Sequence, residues 1–139
     1  MKRLHILILL LIPTILAAGQ LPTVCHNELS AWIKAGHALS IVDIQDSAGF
    51  RAHNYADSLA VGNDPARLKK IAARLRSTKG KVIVVSASGG SDATQAMEQL
   101  VRGGVPRPRI LLLEGGMAAA AKNAACECCK PSSPQSPEK

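Results

Sequence analysis

Two runs, VIVV at 82–85 and ILLL at 110–113, are apolar at every consecutive position. A strand with one wet face alternates apolar and polar residues, so a strand that is apolar throughout is covered on both faces. Each run leads through a turn of small residues into a stretch with helical spacing. Strands alternating with helices imply right-handed crossovers that lay helices on both sides of one sheet. The expectation is therefore an α/β fold, a three-layer sandwich with a mostly parallel sheet.

The remaining elements fit between these strands. NELSAWIKAG, at 27–36, reads as a helix that Asn27 caps and Gly36 closes, with Leu29, Trp32 and Ile33 on one stripe. LSIVDI, at 39–44, reads as a buried strand. QDSAGFRAHNYAD, at 45–57, is a loop with one helical turn at Phe50, leading to the short strand SLAV at 58–61. Asp64 and Pro65 are the cap and first-turn residue of a basic helix that stops near Gly80. KVIVVSA is the strongest strand, since four β-branched residues in a row resist helix formation. A helix from about Asp92 to Arg102 ends at Gly103 and Gly104, and an Ala-rich helix starts near Met117.

The two ends differ in kind from this middle. Lys2 and Arg3 precede the apolar run 6–18, and the small residues Ala17, Ala18 and Gly19 offer a cleavage site. Residues 1–19 read as a signal peptide, so the chain is expected to be exported, periplasmic or secreted. The run is short for a bilayer span and Pro13 interrupts it, so no stable membrane span is expected after cleavage. Residues 20–26 form a leader, 27–125 the domain, and 126–139 a Cys-rich then Pro/Ser-rich tail. Pro131, Pro134 and Pro137 among Ser, Gln and Lys cannot supply a core, and the tail is expected to be disordered.

The formal net charge is +7, and cleavage would remove the positive charges of Lys2 and Arg3 while leaving the chain basic. Arg67, Lys70 and Arg74 share one helix face, which is a solvated surface or a field that steers an acidic partner. Trp32, Phe50 and Tyr55 are the only Phe, Trp or Tyr residues, too few for base stacking, so for an exported chain no nucleic-acid partner is expected. The partner class left open is a protein or a small anion.

The turn Ser86, Ala87, Ser88, Gly89, Gly90 and Ser91 follows the central strand. In parallel sheets ligands gather outside the carboxyl ends of strands, where backbone N–H groups and a helix N-terminus converge. Gly89 and Gly90 can take backbone angles closed to other residues, which lets the N–H groups curl into an anion-binding nest. Asp92 compensates the helix dipole and so competes with an external anion.

From Glu28 to about Ala125 the chain resembles a single rhodanese domain, the thiosulfate sulfurtransferase fold. Three stretches carry the resemblance: IVDIQDSAGFRAHNYADSLAV, VIVVSASGG and LLLEGGMAAA. Asp43, Ile44 and Phe50 match the first motif, with Asp43 in a supporting place. Gln45 stands where Arg is usual, Gly49 where Glu is usual, His53 and Asn54 where Gly and His are usual, and Ala120 where Trp is common. The resemblance implies a loop whose first residue is a cysteine that carries sulfur as a persulfide, steadied by loop amides and an Arg. Ser86 occupies that cysteine position, and Ser91 and Asp92 fall where Arg and Ser commonly stand.

A serine hydroxyl is not brought to an anion by an amide nest as a thiol is, and it has no sulfur with which to build a persulfide. Sulfur transfer at this loop is therefore not expected, and the chain reads as a binding or accessory module. A hydrolytic serine needs a positioned base, and the sequence offers His53 without a nucleophile-elbow pattern. His26, His37 and His53 lie in three separate segments and none is assigned to catalysis. No cofactor is expected.

Four cysteines leave three readings open. Cys25 can pair with Cys126, Cys128 or Cys129 and staple the ends of the domain, as disulfides do in oxidising compartments. Three thiols within four residues, with Cys25 and His26, can instead hold Cu(I) or Zn(II). Alternatively a thiol of the tail carries sulfur in place of the missing loop cysteine.

Overall fold

The computed structural model describes residues 21–122. Five strands and five helices alternate: β1 (Thr23–Val24), α1 (His26–Lys34), β2 (Leu39–Asp43), α2 (Ser47–Ala52), β3 (Leu59–Ala60), α3 (Pro65–Leu75), β4 (Lys81–Val85), α4 (Ser91–Arg102), β5 (Ile110–Leu113) and α5 (Gly116–Ala121), with a 3-10 turn at Arg107–Arg109. The sheet order is β1-β5-β4-β2-β3 and every pairing is parallel. β4, the strand richest in β-branched residues, lies at its centre.

Because side chains alternate across a strand, each face of this sheet owns a separate core. Val42, Val82, Val84, Ile110 and Leu112 face α3 and α4, joined by Leu68, Ala72, Met97 and Leu100. Ile41, Ile83, Val85 and Leu113 face the other way and pack with Val24, Leu29, Met117 and Ala120 of the β1, α1 and α5 side. Burying one such aliphatic side chain contributes roughly 1.5–3 kcal/mol. With aromatic residues nearly absent, these branched chains carry the packing.

Local chemistry sets the element ends. The Asp64 carboxylate accepts the N–H groups of Ala66 and Arg67 at 2.8 and 3.3 Å, with Pro65 in the first turn. Asp46 likewise accepts the Gly49 N–H at 2.7 Å and starts α2, so the loop around Phe50 holds a six-residue helix. The expected start of the first helix moves by two residues: Cys25, not Asn27, is its N-cap, and Asn27 lies inside the helix. Gly36, at φ +70°, closes it as expected. Part of the leader is also ordered, because Thr23 and Val24 pair with Leu112 and Leu113 as an edge strand. Two residues are too few to show a period, and only the partner strand makes them β.

The signal-peptide segment and the cysteine-rich tail lie outside the described residues. Among the described residues no helix is long and apolar enough to cross a membrane.

Candidate active-site loop

The parallel sheet brings Val24, Asp43, Ala60, Val85 and Leu113 to one edge, the carboxyl ends of all five strands. The loop 86–91 leaves this edge at its centre. Ser86 is 4% exposed, and its Oγ accepts the Gly89 N–H at 2.7 Å. Its partner is thus the loop's own backbone and not His53. Gly89 and Gly90 have φ of +75° and +84°, the left-handed angles that turn the chain back before α4. Gly90 is the N-cap of α4 and no side chain caps that helix; Ser91 and Asp92 stand exposed in its first turn.

The first turn of α5 locks this loop. The Met117 N–H donates to the Ser86 carbonyl and the Ala118 N–H to the Ala87 carbonyl, both at 2.8 Å. Gly116, at φ +61°, lies so close that a Cβ there would come within 2.5 Å of the Gly89 nitrogen and 2.7 Å of the Ser88 nitrogen. The late Gly-Gly turn is therefore the floor on which the loop is shaped.

Asp43 lies at the end of β2, fully buried. Its carbonyl accepts the N–H groups of Val61 and Gly62. Its carboxylate accepts the Gln45 N–H at 2.9 Å on Oδ1 and the Gln45 side-chain amide at 3.1 Å on Oδ2. The same amide donates to the His53 carbonyl at 3.1 Å. Desolvation pushes the Asp43 pKa up, and the two Gln45 hydrogen bonds only partly oppose it. Gln45, where the resemblance leads one to expect Arg, thus ties β2 to the 53–56 segment without supplying a cation.

His26 and Tyr55 form a contact that local sequence does not encode. Nδ1 of His26 lies 2.6 Å from the Tyr55 hydroxyl, across 29 positions of chain. Burial pushes the phenol up to about 12. Cys25, also fully buried, is disulfide-bonded, so its sulfur is not a free thiolate for a metal. Among the described residues no group of three or more metal-ligating side chains comes together. Cys126, Cys128 and Cys129, on which the metal and sulfur-carrier readings turned, lie outside the described residues.

An all-parallel five-stranded sheet, helices on both faces and a tight loop at the end of the central strand make this a rhodanese-like fold. Solved structures agree. The chain is similar to a rhodanese-related protein from Thermoplasma volcanium, with 21% identity over 74% of this chain and 93% of that one, and a TM-score of 0.58. It is similar to a yeast protein tyrosine phosphatase of the rhodanese family, with 19% identity, coverage of 76% and 86%, and a TM-score of 0.56. It is also similar to an As-Sb reductase from Leishmania major, with 14% identity, coverage of 76% and 80%, and a TM-score of 0.63. No family model and no curated protein sequence matches the chain.

Proposed function

We propose that this chain is an exported rhodanese-fold protein whose central loop does not transfer sulfur and serves instead as a binding or accessory surface. One observation carries the reading: at the first loop position an oxygen, Ser86 Oγ, accepts the Gly89 N–H from within the loop's own turn. Sulfur transfer needs an attacking thiolate that becomes a persulfide, and a hydroxyl near neutral pH supplies neither the charge nor the sulfur. Residues 86–91 also contain no cation to hold a charged intermediate, and Asp92 follows them directly.

Export is supported by the leader chemistry of residues 1–19 and by the disulfide at Cys25, since such bonds persist in oxidising compartments. A protein tyrosine phosphatase among the fold neighbours supports a small anion as the class of ligand that this loop's amides would meet.

A thiosulfate:cyanide assay on the full chain tests the reading, with Ser86→Cys as its positive control. The wild type is expected to show no turnover and no sulfur adduct, whereas Ser86→Cys gains one sulfur by intact mass after thiosulfate treatment. Turnover in the wild type that survives Ser86→Ala, but is lost when Cys126, Cys128 and Cys129 are all changed to Ala, would move the chemistry to the tail.

A further inference from the structure

A groove of about 390 Å³ runs between α1, the 53–56 segment and α5. This lies within the range of small-ligand sites, about 300–1,000 Å³. On one wall, His26, Ser30, Ile33 and Lys34 follow a single stripe of α1. On the other, α5 presents Met117, Ala120 and Ala121. The two alanines end at Cβ, and so the helix pair leaves open a space that larger side chains would fill.

The charge of the lining is one-sided. Lys34 is the one Lys or Arg that lines the groove, and neither Asp nor Glu does. Tyr55 also lines it and is hydrogen-bonded to His26. Nδ1 of His26 is engaged by the Tyr55 hydroxyl at 2.6 Å, which leaves Nε2 as the ring's second polar atom.

We propose that this groove binds a small organic monoanion with an apolar body, of the medium-chain carboxylate class. Its carboxylate lies with Lys34 at one end of α1, and its hydrocarbon covers the neighbouring Ile33 with Met117 and Ala120. A cation would meet like charge, and a strongly polar ligand would leave the methyl-lined wall wet. None of these residues belongs to 86–91, so the inference goes beyond the reading of the loop and stands whether or not that loop is silent.

Isothermal titration of the full chain, disulfide intact, with octanoate, octylamine and octanol tests it. Octanoate is expected to bind saturably at one site, at least about tenfold tighter than octylamine, and Lys34→Ala is expected to weaken it severalfold. Ala121→Trp, at an exposed position on the rim, should fill the groove and abolish binding, while its unchanged circular dichroism and melting temperature show an intact fold. Equal affinity for octanoate and octylamine, no saturable octanoate binding, or binding that Ala121→Trp leaves unchanged each overturns the proposal. Failure here leaves the thiosulfate result at Ser86 untouched, so the two readings fall separately.

Discussion

Ser86 Oγ and the Gly89 nitrogen are 2.7 Å apart, and their hydrogen bond closes the turn that follows the central strand. Ser86→Ala removes the acceptor and leaves the half-buried Gly89 N–H without it. The expected cost is about 1–2 kcal/mol. For a domain near this size, each kcal/mol lowers the melting temperature by roughly 4–8 °C. Thermal unfolding followed by circular dichroism reads it, and an unchanged midpoint would mean that the bond does not hold the loop.

Gly116 tests the floor beneath that loop. A methyl at this position would meet the Gly89 nitrogen, the Ser86 oxygen and the Ser88 nitrogen at 2.5–2.7 Å, and φ is +61°. Two independent penalties therefore act on Gly116→Ala, one conformational and one steric, and all three neighbours are backbone atoms that cannot step aside as a flexible chain end does. The expected loss is at least about 2 kcal/mol. In the Ser86→Cys background the same change should also suppress sulfur uptake, because the cradle itself is displaced. Wild-type stability in Gly116→Ala would show that the loop 86–91 and the start of α5 are not in contact.

Asp43 predicts a pH dependence whose sign is opposite to that of a salt-bridged carboxylate. Its folded pKa is raised, chiefly by burial. Between the unfolded value, about 3.9, and the higher folded value, the unfolded chain has released the proton while the native chain still holds it. Stability from this group therefore falls as pH rises through that window and stays low above it. The stability of Asp43→Asn relative to wild type should increase across the window and then level off. Urea unfolding of both proteins at a series of acidic pH values reads the difference, in which the other carboxylates cancel. A constant difference would show that Asp43 is not perturbed.

The fold was legible because its signals are local. Uninterrupted apolar strands predict a covered parallel sheet, and Asp64 with Pro65 predicts the start of α3 that the structure shows. The position of Ser86 in the loop after β4 was legible for the same reason: a strand, two glycines and a helix follow one another directly. What sequence did not yield was set by distant partners. β1 is a strand only because β5 offers it an edge, and the His26–Tyr55 bond joins α1 to a loop 29 positions away. Gln45 carried a weak signal, a glutamine where Arg is usual in the resembled family. Its role needed the fold, since one amide bonds both Asp43 and the His53 carbonyl.

Cys25 is disulfide-bonded and is the one cysteine among the described residues; the chain's others are Cys126, Cys128 and Cys129. Peptide mapping without reductant is expected to find Cys25 joined to a peptide carrying one of those three. A link of this kind closes nearly the whole domain, and reducing it should cost about 2–5 kcal/mol. Melting temperatures with and without dithiothreitol give that cost. Alkylation of Cys25 in the native, unreduced protein would contradict the pairing.

Tyr55 is the chain's only tyrosine, so the phenolate absorbance of the whole protein reports this one side chain. In the native state the titration midpoint should lie near 12, because burial disfavours the phenolate. In urea it should return to about 10. The unfolded chain thus ionises first, and stability falls as pH rises from the lower value toward the higher. Tyr55→Phe keeps the ring in place, removes this alkaline loss and gives up the hydrogen bond to His26, at about 0.5–1.5 kcal/mol near neutral pH. The two stability curves are therefore expected to approach one another, and to cross if the alkaline term exceeds the hydrogen bond. A native midpoint near that of the urea-unfolded chain would place the phenol in water and contradict its burial beside His26.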